Sequence, residues 1–92
     1  METKIIRKHI VFTGRVQGVG FRYRAKYVAS GFGLTGWVRN EWDGSVEMEV
    51  QGTEALINKM LVIINQGSYI LIDNMVSKVI PLEEGEKGFH SR

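Results

Sequence analysis

Gly14-Arg15-Val16-Gln17-Gly18-Val19-Gly20-Phe21-Arg22 ends one periodic pattern in this chain and starts another. Upstream, Lys8 to Thr13 alternates as a strand does, with Ile10 and Phe12 on one side and His9, Val11 and Thr13 on the other. Val11 makes the second side partly apolar, which suits a central strand. Gly14, Gly18 and Gly20 break the strand into a loop. Downstream, Phe21, Ala25, Val28 and Ala29 form one apolar helical stripe, with Arg22, Arg24 and Lys26 largely off it. Gly31 and Gly33 stop that helix.

Working outward, Thr35 to Asn40 reads as a second strand, and Glu41 to Gly44 as a hairpin connection, because Asp-Gly suits the positive φ of tight turns. Ser45 to Gln51 alternates cleanly, Val46, Met48 and Val50 inward against Glu47, Glu49 and Gln51 outward. Gly52 ends this strand, and Thr53 is the expected N-cap of a second helix. That helix carries Leu56, Ile57, Met60, Leu61 and Ile64 on one face, with Gly67 following its C-cap. Val76 to Leu82 is expected as a fourth strand, Pro81 falling near its end or on an edge. Phe89 anchors a short closing strand, and Ser68 to Met75 suits helix, strand or packed loop.

The order β-α-β-β-α-β is the split βαβ, or ferredoxin-like, pattern of an α+β protein. Right-handed crossovers place two helices on one face of an antiparallel sheet. With the third strand between the first two, the glycine loop and Asn40 meet at one edge of the sheet, about 10 Å apart at two strand spacings. A phosphoryl group and one water fit such a gap.

Composition narrows the chemistry. At 92 residues the chain fits one domain, expected over residues 1–92. Its 43% hydrophobic and 24% charged residues are those of a folded globular domain. The absence of cysteine removes disulfides, thiolate nucleophiles and cysteine metal sites, and suits a reducing compartment. His9 and His90 are isolated, so no metal site is expected. The longest apolar run, Met60–Ile64, is too short to span a bilayer, and Lys4, Arg7, Lys8 and His9 interrupt any signal-like start. A cytoplasmic protein is expected. The net charge is only +2, but cations gather early, from Lys4 to Lys26, and acids from Glu41 onward. That asymmetry suits a small anion near the first third of the chain more than a nucleic acid.

The loop itself can be tested against known anion-binding patterns. A Walker A loop counted from Gly14 needs glycine where Val19 stands. A dinucleotide fingerprint needs glycine at Tyr23, and a cysteine-phosphatase loop needs cysteine at Val16. No Ser, Thr, Cys, His, Asp or Glu lies in Arg15–Arg22, so a covalent intermediate on this loop is not expected. What remains is a set of backbone N–H groups at a helix N-terminus, with Arg22 in the first turn. A cation there opposes the helix dipole, so an anion is expected beside it.

The loop, followed by Gly36-Trp37-Val38-Arg39-Asn40 and Asp43-Gly44-Ser45-Val46-Glu47, resembles the acylphosphatase family over about Lys8 to Gly52. The second half departs from the family: Gly67-Ser68 stands where Gly-Pro is common, and the closing segment is similar only through Phe89 and Arg92. The resemblance implies hydrolysis of a carboxyl-phosphate anhydride to carboxylate and inorganic phosphate. It makes Arg22 the phosphate-binding catalytic arginine and Asn40 the residue orienting the attacking water. It assigns the backbone cradle to Gln17, Gly18, Val19, Gly20 and Phe21. It implies no cofactor and no metal, an acyl phosphate substrate, and inorganic phosphate as product and competitive inhibitor. It also implies a monomer with neither nucleic acid nor membrane as partner. A carboxylate is a good leaving group, so no general acid is required; positioning and electrostatics suffice.

Two other classes compete. A non-catalytic anion-binding domain of the same fold would bind phosphate without hydrolysis. An RNA-binding sheet would need exposed aromatics on its central strands, where Val46, Met48 and Val50 stand with acidic neighbours.

Overall fold

The alternation around Ile10–Phe12 and Val46–Val50 becomes a pair of central strands in the computed structural model, which describes residues 4–92. The elements are β1 (Ile5–Arg15), α1 (Phe21–Gly31), β2 (Thr35–Asn40), β3 (Val46–Thr53), α2 (Glu54–Asn65), β4 (Leu71–Ile80) and β5 (Phe89–Ser91). The sheet order is β4-β1-β3-β2-β5. β3 lies between β1 and β2 and runs antiparallel to both. This is the α+β ferredoxin-like arrangement expected of the element order.

The inward residues form one core. Ile10, Phe12, Val38, Val46, Met48 and Val50 of the sheet pack with Phe21, Ala25 and Ala29 of α1 and Ile57, Met60 and Ile64 of α2. Both helices therefore cover the same face. Burying side chains of this size contributes about 1.5–3 kcal/mol each for the larger ones. Thr53 caps α2 as expected, its Oγ1 accepting from Leu56 N at 3.4 Å.

Several boundaries differ from the sequence expectation. β1 begins at Ile5 and runs to Arg15 rather than spanning Lys8 to Thr13, because its ladder with β3 starts at Ile5↔Thr53. For the same reason Gly52 does not end β3; it pairs with Ile6, and the strand continues to Thr53. β4 covers Leu71–Ile80 instead of Val76 to Leu82, which leaves Pro81 just beyond it and resolves Leu71 to Met75 as strand. Its regular alternation is lost at a bulge. Thr13 pairs with Asn74 and Gly14 with Ile72, leaving Asp73 as the extra residue.

Gly14 is needed at that bulge. Its φ is 120°, and a Cβ there would lie 2.3 Å from Leu71 O and 2.7 Å from Asp73 N. Gly67 follows the C-cap Gln66, without the left-handed backbone usual there. Its value is space, since a Cβ would meet Ile70 Cδ1 at 2.8 Å. The sheet is antiparallel apart from one pair. β5 runs parallel to β2 on its outer edge, because the chain crosses from β4 to the opposite edge of the sheet before pairing. Among the described residues, no helix is long and apolar enough to cross a membrane.

Candidate active site

The site is assembled at the edge where β1 ends, α1 begins and β2 ends. Val16 is buried and pins the start of the loop to the core. After it, Gly18 and Gly20 take φ of 71° and 82°, left-handed values that an L side chain resists. A Cβ at either would meet nothing within 4 Å, so these two glycines serve backbone direction, not packing. Gly20 is the N-cap of α1 and offers no side-chain acceptor. The first turn of α1 holds no acidic residue. Arg24 N reaches Gly20 O at 2.9 Å, which leaves the amides before it as the helix's unpaired donors. Among the described residues none accepts from the amides of Gly18 or Val19. Phe21 is buried against Phe12, ring centroids 4.8 Å apart, and so fixes where the helix begins.

Arg22 follows in the first turn and is half-buried. Its Nη1 donates to the main-chain oxygen of Arg92 at 3.1 Å. Among the described residues no Asp or Glu side chain pairs with it. The neighbouring Arg24 turns to another acceptor: its Nε and Nη2 both donate to Ile63 O, at 2.9 and 2.8 Å.

Asn40 closes β2 opposite Val46, which in turn lies opposite Phe12. It thus belongs to the helix-covered face, at the end of the sheet where the loop enters α1. It is exposed, and its side chain makes no hydrogen bond among the described residues. A shallow depression lined by Gln17, Asn40, Glu41 and Trp42 lies beside it and does not extend to Arg22. The loop Gln17–Phe21 and Asn40 are therefore brought to one sheet edge, while the Arg22 guanidinium is turned toward Arg92.

Gln17 does more than the sequence assigned. Its backbone lies in the loop, but its side chain crosses to the hairpin, Nε2 donating to Glu41 O at 2.7 Å and to Ser45 O at 2.8 Å. Only the amide nitrogen can face two carbonyls, which fixes its orientation. Trp42 at the hairpin tip is fully exposed, whereas Trp37 is 8% exposed and sandwiched by guanidinium groups, Arg92 at 4.6 Å and Arg39 at 5.1 Å from its ring.

On the opposite face of the sheet the side chains of Arg7 and His9 are paired with acids. Arg7, only 2% exposed, donates to Glu49 at 2.9 Å, to Gln51 at 3.2 Å, and to both oxygens of Glu86 at 2.7 and 3.2 Å. His9 Nε2 lies 2.6 Å from Glu47, which also accepts from Arg39 Nε at 3.0 Å. The hydrogen bond with His9, helped by Arg39 and opposed by burial, holds the Glu47 carboxyl below the usual carboxylate range. Burial would raise Glu86, but hydrogen bonds from Arg7 and Thr35 and the charge of Arg7 bring it below that range too.

Sequence reasoning misses Arg7, because the expected strand starts at Lys8, three residues after the observed Ile5, and misses the side chains of Gln17 and Arg92. A signal for Arg7 was present in the outward row Glu47, Glu49, Gln51, an acidic stripe that needs cations opposite.

Comparison with known proteins follows this geometry. The family model described as acylphosphatase matches residues 8–91. The chain is 44% identical over 77 residues to an acylphosphatase of Clostridium acetobutylicum, covering 83% of this chain and 85% of that one. It is 41% identical over 88 residues to an acylphosphatase of Trichormus variabilis, covering 96% and 87%. The crystal structure of acylphosphatase from Bacillus subtilis superimposes with a TM-score of 0.87 at 31% identity, covering 95% of this chain and 98% of that one.

Proposed function

The chain belongs to the acylphosphatase family, and on that premise we propose that it hydrolyses acyl phosphates by direct attack of water on a phosphoryl group held at the start of α1. The observation that carries this is the uncapped N-terminus of α1. Gly18 and Gly20 take left-handed backbone there, the amides of Gly18 and Val19 have no acceptor among the described residues, and Arg22 adds a cation that no Asp or Glu side chain neutralises among them.

In this reading the amides of Gln17 to Phe21 bind the non-bridging phosphoryl oxygens. Arg22 leaves the main-chain oxygen of Arg92 and takes two of these oxygens in its planar fork. Asn40, at the facing strand end, orients water for in-line attack. Water's oxygen forms a bond to phosphorus as the bond from phosphorus to the acyl oxygen breaks. The acyl carboxylate leaves with that electron pair, and a phosphate oxygen accepts the water proton. Inorganic phosphate, sharing the same tetrahedral oxygens, is the second product and a competitive inhibitor. The lack of cysteine suits a reducing cytoplasm as the place of the reaction.

The test is hydrolysis of benzoyl phosphate by the purified chain with a chelator present. Turnover is expected to persist. Arg22→Ala is expected to lower kcat/KM by about 10²–10³, the scale of losing one oxyanion donor, and to weaken phosphate inhibition with it. Asn40→Ala is expected to lower kcat while leaving phosphate inhibition nearly unchanged. Full turnover in either folded variant removes that residue from the mechanism.

A further inference from the structure

We propose that the Gln17 side chain is a positioning residue that sets Asn40 against the phosphate loop. This rests on the acylphosphatase reading and adds to it a residue whose side chain touches neither phosphate nor water.

The two halves of the site are each closed internally. The hairpin is held by Glu41 N to Ser45 O at 2.9 Å and Gly44 N to Glu41 O at 3.2 Å. Within it, Asp43 Oδ1 accepts from Ser45 N at 2.9 Å and from Ser45 Oγ at 2.6 Å. The loop is fixed by buried Val16, by the left-handed glycines and by buried Phe21. What joins the halves is Gln17. Among the described residues, its two hydrogen bonds are the ones between residues 16–20 and residues 41–45.

The acceptors are placed to matter. Glu41 O belongs to the residue directly after Asn40. Ser45 O belongs to the residue directly before Val46, the cross-strand partner of Asn40. Gln17 thus grips both arms of the hairpin, immediately on the turn side of the Asn40–Val46 pair. Ser45 is buried, and its carbonyl accepts from both Glu41 N and Gln17 Nε2. Loss of Gln17 leaves the hairpin folded but free to shift against the loop. A displacement of about 1 Å at a reacting group costs up to about a hundredfold in rate.

Gln17→Ala removes the side chain; Gln17→Met keeps its length and bulk and removes the donor. Both are to be compared with the unsubstituted chain for kcat, KM and phosphate inhibition on benzoyl phosphate, with thermal unfolding as the check on folding. Both variants are expected to lose about tenfold or more in kcat, with phosphate inhibition changed less than about threefold, since misplacement raises the barrier without removing the cradle. Introduced into Asn40→Ala, Gln17→Ala is expected to cost nothing further, because the group it positions is gone. Additive losses in the double variant, full activity in Gln17→Met, or phosphate inhibition weakening in step with kcat each overturn the proposal. Absence of turnover in the unsubstituted chain overturns the underlying reading and this inference with it; turnover with unaffected Gln17 variants overturns the inference alone.

Discussion

The two helices of this protein begin in opposite ways. α2 starts as isolated helices prefer, with Thr53 accepting from Leu56 N and Glu54 placed on the positive end of the dipole. α1 starts with glycine at the N-cap, no side-chain cap, no acid in the first turn, and Arg22 where a cation is unfavourable. Both helices share one core and one sheet face. The difference is therefore not a matter of burial or packing. The start of α2 is capped within the chain, and the start of α1 is left uncapped, as the proposed anion site requires.

Arg7 provides the contrast among the cations. It is buried and bonded to Glu49, Gln51 and Glu86, whereas among the described residues Arg22 bonds a main-chain oxygen of Arg92 and no Asp or Glu side chain. The two arginines are expected to separate by what their loss damages. Arg7→Ala is expected to lower stability by about 3 kcal/mol, because it leaves partly buried carboxylates without their cation. Chemical denaturation at neutral pH measures this. The acid side adds a signature. Glu86 and Glu47 are held below their ordinary range in the folded protein, so their contribution is present above the unfolded-state pKa. It is lost as pH falls through the folded value. The unsubstituted chain is therefore expected to lose stability progressively below the ordinary carboxylate range, and Arg7→Ala to lose less over the same interval. Equal acid sensitivity in the two proteins would break this account of the outer face.

A smaller effect tests the helix starts themselves. Thr53→Ala is expected to cost about 1 kcal/mol of stability, the usual value of an N-cap, with hydrolysis unchanged. A change in kcat comparable to that of a site variant would show that α2 is not merely structural.

Most of the fold could be read because it is written in local periodicity. Val46, Met48 and Val50 alternate, Phe21, Ala25 and Ala29 recur at helical spacing, and all are buried as that pattern requires. The first half of β4, Leu71 to Met75, escaped because its stability is not local. It is an edge strand, largely exposed, supported from one side by β1, and its alternation slips at Asp73. The candidate site divides in the same way. Gly18, Gly20 and Arg22 lie in one short stretch readable as an anion cradle, and strand order places Asn40 beside it while the family resemblance supplies its role. The Gln17 bridge and the Arg7 cluster depend on long-range register, which places Gln17 against Glu41 and Ser45, and Arg7 against Glu49 and Glu86. A one-dimensional pattern does not contain that information.

The central claim is that the start of α1 is an anion site completed by Arg22. It is tested most directly by the thermal midpoint of the protein with and without inorganic phosphate, measured for the unsubstituted chain and for Arg22→Ala. A ligand that binds only the folded state stabilises it by RT ln(1 + [L]/Kd), about 2.7 kcal/mol at a hundred times Kd. The account predicts a phosphate-dependent rise in the midpoint of the unsubstituted chain that is nearly abolished in Arg22→Ala. An equal rise in both proteins, or none in either, would contradict it.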